Sequence, residues 1–199
     1  FHKQTAEMAG IDRRLAKTIG LGVMYGMGYK KMAVDLDISP AEAKEMLKEF
    51  RIKVPFMQGM LEDVMNRANK VGTIRTFLGR KCRFDLYEPS WYQPGVFHKA
   101  LPLKQAQAEY NGQIKRAGTY KALNRLIQGT AADQTKKAMV DVYEKLGITP
   151  LIQVHDELNC SVKSDKEAGD IKYIMENSMK LVVPSKVDFK IKDNWGDAK

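Results

Sequence analysis

The chain has 199 residues, 44% of them hydrophobic and 29% charged, which is ordinary for a globular protein and enough for one sizeable core or two joined subdomains. No apolar run approaches the roughly 18 residues of a membrane-spanning helix; nothing at the N-terminus reads as a secretory signal, and Cys82 and Cys160 fit neither a disulfide framework nor a metal-ligand spacing, so a cytoplasmic or organellar setting is expected, with no membrane and no secretion. Lys plus Arg outnumber Asp plus Glu by 33 to 24, and the resulting +9 favours a polyanionic partner such as nucleic acid.

In chain order, a helix is expected over 12–27, with Asp12 as N-cap and Gly26 and Gly28 as the stop. A second starts at Ser39-Pro40, where Ser caps and Pro takes the first helical position, and runs to about residue 51. A third, over 55–70, carries Met57, Met60, Leu61, Val64 and Met65 on one stripe. Residues 72–84 read as a hairpin turning near Gly79, and 86–100 as a loop without a clear period. A long helix is expected over 116–146, then strands over 151–154 and 157–162 with His155-Asp156 at the bend between them. A helix over 165–182 and a strand over 187–191 close the chain. Helices followed by strand, strand, helix and strand imply an α+β fold.

Two segments carry chemistry. In the first predicted helix, Arg13, Lys17, Leu21 and Tyr25 are spaced by four, so they share one broad face. That face is cationic at its start and apolar or aromatic at its end, the polarity of a nucleoside triphosphate. Arg13 and Lys17 suit phosphate oxygens, and Leu21 and Tyr25 suit sugar and base. The same spacing also describes an amphipathic helix with solvated basic residues and a buried Leu and Tyr. Gly20 and Gly22 favour the first reading, because glycine inside a helix costs about 1 kcal/mol relative to Ala and suggests a close approach to the backbone. At the second segment, the bend between two strands thrusts Asp156 outward. A carboxylate there is a natural ligand for Mg²⁺, while an Asp serving only as a turn former is the plainer alternative.

Together these segments resemble DNA polymerase family A, the polymerase I-like enzymes. Arg13, Lys17, Tyr25 and Gly26 match the family's motif B, R-x-x-x-K followed by Tyr-Gly; Leu21 stands where an aromatic is usual, a position that bears on rate and sugar discrimination. His155-Asp156-Glu157 resembles motif C, with Asp156 as the palm metal ligand, Glu157 as its acidic neighbour and His155 near the primer end. Asn124 to Asp133 resembles the N-x-x-x-Q-G-T-A-A-D helix, whose Asn and Gln (here Asn124 and Gln128) face the DNA minor groove, where polar amides meet common acceptors. The family's Arg eight residues before that Gln is Tyr120 here. Leu78 to Lys81 resembles the D-G-R-R turn and puts Arg80 near DNA. Phe1 to Ala6 resembles the stretch after motif A, with His2 near the triphosphate tail, and Asn194-Trp195 resembles the closing residues.

The resemblance implies a right-hand polymerase fragment, helical fingers over 1–72 and part of an antiparallel-sheet palm over 73–199. Its partners would be primer-template DNA and deoxynucleoside triphosphates, with two Mg²⁺ ions in the complete site. Asp156, Lys17 and Glu157 are the expected catalytic residues. Motif A, which supplies the second catalytic aspartate, would lie upstream of residue 1, so an upstream segment or complementary chain is expected to complete the site. The alternatives are a non-catalytic DNA-binding remnant or subunit of a split polymerase, and a phage-type RNA polymerase. The latter normally has His-Asp-Ser where this chain has His155-Asp156-Glu157.

Overall fold

The computed structural model describes residues 2–91 and 96–198. They fall into two compact units, Phe1–Ile127 and Gln128–Lys199.

The first unit opens on helices His2–Ala9 (α1), Arg13–Met24 (α2), Tyr29–Leu36 (α3), Pro40–Lys53 (α4) and Pro55–Val71 (α5). Local chemistry sets their ends. Asp12 accepts from the amides of Arg14 and Leu15 at 2.8 and 3.0 Å and starts α2. Ser39 and Glu42 form a reciprocal capping box on α4, with Pro40 in its first turn. The helices close over one core containing Ile19, Val23, Met32, Leu47, Phe50, Val54 and Met57. Burying each such side chain contributes about 1.5–3 kcal/mol. α3 lies where the sequence suggested no element. Gly28 caps it without a side-chain bond, and Asp37 ends it in the left-handed region at φ 53°, so neither end carries a strong start or stop signal.

Thr73–Arg75 (β1) and Lys81–Arg83 (β2) pair antiparallel as the expected hairpin, with Ile74 opposite Cys82. Ile74 and Phe84 pack with Ala68 and Ala122 in a second, smaller core. The stretch read as a loop contains structure: Leu86–Pro89 (β3) pairs with Leu101–Pro102 (β4) on one side and Ile114–Arg116 (β5) on the other, with Leu103–Glu109 (α6) between the latter two. Strands of two to four residues are too short to show an alternating pattern. The long helix begins later than expected, at Ala122. Residues 114–116 are strand instead, and Gly118 at φ 69° turns the chain into a 3₁₀ turn, Thr119–Lys121. Ala122–Leu146 (α7) then crosses the division between the units.

In the second unit, Pro150–Val154 (β6) and Glu157–Cys160 (β7) pair antiparallel, Val154 opposite Glu157. Asp165–Asn177 (α8) follows, started by Ser164, whose hydroxyl accepts from the amide of Glu167. It ends five residues short of the expected 182. Residues 187–191 form no strand; the amide of Val187 donates to a Glu176 carboxylate oxygen at 3.0 Å rather than to a sheet neighbour. A short helix, Trp195–Ala198 (α9), closes the chain. The core here joins Val142, Ile171 and Ile174. Helices and three small antiparallel sheets together make an α+β fold. Among the described residues no helix is long and apolar enough to cross a membrane.

Candidate functional site

α2 places Arg13 and Lys17 in solvent at its N-terminal half, Leu21 half-buried, and Tyr25, 40% exposed, at its C-terminal cap. The opposite side of the helix, Ala16, Ile19, Gly20 and Val23, is buried. The face spaced by four is therefore the accessible one. Its cationic end has a neighbour on α1: the half-buried His2 imidazole is held below its ordinary pKa, first by desolvation and then by positive charges that include Lys17 and Arg13. His2, Arg13 and Lys17 thus share one local field.

This grouping has a direct test. In an NMR titration, the His2 midpoint is expected below that of a free histidine, and Lys17→Ala is expected to move it part of the way up. Because the folded-state value is depressed, the contribution of this group to stability is in place above the unfolded value and is lost as pH falls below it. A midpoint that ignores the loss of Lys17 would separate the two residues.

Gly22 of α2 has a different explanation from the expected ligand contact, whereas Gly20 has ordinary room for a side chain. A β-carbon on Gly22 would collide with Met27, whose Cε would lie 2.1 Å away, and one on Gly20 would rest 3.7 Å from Met57 and 3.8 Å from Phe50. At Gly22 the protein's own Met27 side chain occupies that space. Met27 reaches Gly22 because α2 ends in a Schellman turn: the Met27 amide donates to the Gly22 carbonyl at 2.7 Å and the Gly26 amide to the Val23 carbonyl at 3.0 Å, with Gly26 at φ 76°.

At the tip of the β1–β2 hairpin, Arg80 is exposed. Its amide donates to the Thr76 hydroxyl at 3.0 Å, and Gly79 turns the chain at φ 86°. Asn124 and Gln128 stand one turn apart on α7, Gln128 exposed and Asn124 half-buried with its Oδ1 lacking a hydrogen-bond partner. Tyr120, where the family pattern has an Arg, packs against Gly26.

In the second unit, the two-residue turn between β6 and β7 is His155-Asp156. His155 sits at φ 54°, a left-handed conformation that is uncommon without glycine, and Gln153 Nε2 donates to its carbonyl oxygen. Asp156 is exposed and engages no described residue in a hydrogen bond or ion pair. Its neighbour differs: Glu157 Oε1 accepts from Asn159 Nδ2 at 3.0 Å and from the Trp195 indole at 3.2 Å. Trp195, placed by the resemblance among the closing residues, thus reaches the acidic turn, and nothing in the sequence signals a contact across 38 positions. Asp141 gives a contrast. It is buried and held below the usual carboxylate range, first by the Lys137 hydrogen bonds at 2.8 and 2.9 Å, so its charge is already spent within α7. Among the described residues no group of three or more His, Cys, Asp or Glu is placed to hold a metal ion. The Asp156 carboxylate, with both oxygens open on an exposed turn, fits a hard, oxygen-seeking cation that draws its other ligands from elsewhere. The α2 and β1–β2 residues belong to the first unit, and His155, Asp156 and Glu157 to the second.

The family model described as DNA polymerase family A matches residues 1–197. A DNA-directed DNA polymerase of Pseudomonas phage M6 is 35% identical over 229 residues, covering 98% of this chain and 31% of that protein. The thermostable DNA polymerase I of Thermus aquaticus is 30% identical over 216 residues, covering all of this chain and 23% of that protein. Among solved structures, the POL domain of Pol1 from M. smegmatis, in complex with DNA primer-template and dNTP, superposes with a TM-score of 0.65 at 28% identity, covering 90% of this chain and 31% of that chain. The chain therefore spans less than a third of the length of these relatives.

Proposed function

The chain belongs to DNA polymerase family A, and from that premise we propose that it is the nucleotide-binding and metal-holding part of a DNA-directed DNA polymerase. The observation that carries this reading is the accessible face of α2. A cationic end shared by Arg13, Lys17 and His2 lies at one extreme, and the exposed ring of Tyr25 at the other.

On this reading residues 1–72 are fingers and 73–199 palm. Arg13 and His2 orient the triphosphate of an incoming deoxynucleotide. Leu21 and Tyr25 lie under its sugar and base. Asn124 and Gln128 contact the minor groove, Arg80 the backbone, and His155 the primer end. The primer 3′-hydroxyl, giving up its proton to solvent, attacks the α-phosphate in line, and the bond from the α-phosphorus to the bridging oxygen breaks to release pyrophosphate. Lys17 neutralises charge on the triphosphate and gives a proton to the departing pyrophosphate oxygen. Asp156 would hold Mg²⁺, with Glu157 beside it and a second aspartate contributed by an upstream segment. Two Mg²⁺ ions, when bound, supply charge stabilisation for the attacking and leaving oxygens. The His2 field and the open Asp156 carboxylate support these roles.

The test has two arms. The full-length protein that carries this chain should extend a primer in the order the template dictates, with deoxynucleotides preferred over ribonucleotides. This chain by itself should bind primer-template DNA with strong salt sensitivity, each neutralised phosphate contributing about −0.9 to the slope of log K against log salt. Template-independent extension, or affinity that stays flat with salt, would overturn the reading.

A further inference from the structure

We propose that Tyr120 is a positioning residue for the nucleotide helix, fixing Tyr25 through the contact it makes with Gly26. The inference rests on the reading of α2 as the nucleotide-binding helix.

The contact joins two points 94 positions apart in the chain. Gly26 closes α2 in the left-handed region at φ 76°, directly after Tyr25. A β-carbon placed on it would lie 3.1 Å from Tyr120 Cδ2 and 3.1 Å from the Tyr120 carbonyl oxygen. The ring and the backbone of Tyr120 thus lie alongside Gly26 and leave little room there: the left-handed conformation favours glycine, and a β-carbon would sit a few tenths of an ångström too close to Tyr120.

Tyr120 presses from a fixed base. It sits within the 3₁₀ turn Thr119–Lys121, which packs on α5. Thr119, Ala122 and Leu123 around it are 8%, 0% and 3% exposed, and Ala122 belongs to the core with Ala68, Ile74 and Phe84. The Tyr120 ring itself is not core: the residue is 48% exposed, and the Lys121 ammonium stands 5.3 Å from its ring centroid. A half-exposed aromatic held between buried neighbours contributes little to folding, yet it sets where the last turn of α2 can rest. Tyr25 is the residue on that turn whose ring is exposed at 40%. The geometry makes the Tyr120 ring a backstop: while the ring is in place, the Tyr25 platform has one seat, and without the ring the end of α2 gains room on that side. A platform that wanders supports a mismatched base pair nearly as well as a matched one, so discrimination suffers more than turnover.

The experiment compares Tyr120→Ala and Tyr120→Phe in the full-length protein, each first checked for a parental melting curve. The first readout needs no activity: hydrogen exchange at the amides of Tyr25, Gly26 and Met27, without DNA or nucleotide. Tyr120→Ala is expected to speed it by about tenfold or more, as the end of α2 opens more readily. The second readout is the ratio of kcat/KM for the matched over a mismatched deoxynucleotide. Tyr120→Ala is expected to lower it on the order of tenfold, chiefly through KM for the matched nucleotide. Tyr120→Phe, which keeps the ring, is expected to restore both. Unchanged exchange in Tyr120→Ala overturns the backstop, and so does unchanged discrimination. A Phe variant as impaired as the Ala variant also overturns it, because the hydroxyl would then carry the effect. If the parent itself fails to extend primers, the polymerase reading falls and the inference with it, while the exchange data separate that failure from a missing Tyr120 contact.

Discussion

Asp156→Asn in the full-length protein is expected to lower the rate of primer extension by at least about 10³-fold while leaving primer-template affinity within about twofold of the parent. Lewis-acid stabilisation of a phosphoryl transition state is worth several kcal/mol, and each 1.36 kcal/mol is tenfold in rate. The substitution keeps the shape of the side chain and removes its charge. Asp156 lies on an exposed turn and engages no described residue, so its loss breaks nothing in the fold. Asp141→Asn is the control for charge removal. That carboxylate is buried and paired with Lys137 and Lys145, so its loss is expected to lower the melting temperature and leave kcat near the parental value. Steady-state extension, a binding titration and a thermal melt on both variants separate the two roles. Extension by Asp156→Asn at the parental rate would remove the metal assignment.

Lys17→Ala is expected to cost about 10²–10³-fold in kcat, the range typical of deleting one donor aimed at developing charge. KM for the nucleotide should rise more modestly, because on the proposed role Lys17 serves the departing pyrophosphate more than the ground state. Lys17→Arg is expected to recover part of the loss: it restores the charge, but a guanidinium is a far poorer proton donor than an ammonium. The packing of α2 is untouched by these changes, since Lys17 is exposed and its buried neighbours are Ala16, Ile19, Gly20 and Val23. A variant that raises KM with kcat unchanged would reduce Lys17 to uniform binding and would remove its role as the acid.

The accessible cationic-to-aromatic face of α2 was legible because it is written within a dozen residues of one helix. A spacing of four and an N-cap at Asp12 need only the geometry of the α-helix, and α2 has both. The N-cap at Ser39 and the bend at His155-Asp156 were readable for the same reason. Where the signal depended on a partner, it was not readable. α3 begins at a glycine and ends at a left-handed Asp37, so its stability comes from burying Met32 and Ala33 rather than from its caps. The β3–β4–β5 sheet is built from pairings such as Tyr87 with Arg116, between segments too short to declare themselves. Residues 187–191 have the composition of a strand, but the Val187 amide is taken by Glu176.

The sequence by itself determined the family, the α+β class, the accessible cationic-to-aromatic face and the acidic turn, because each is local or rests on a motif whose spacing survives in one dimension. Tertiary structure decided what those residues touch. Met27 rather than a ligand fills the space over Gly22, Trp195 reaches Glu157, and Tyr120 meets Gly26 across 94 positions. Such contacts depend on where folding carries two distant points of the chain. No periodicity records that, because the free energy that selects them is the burial and pairing of the elements between.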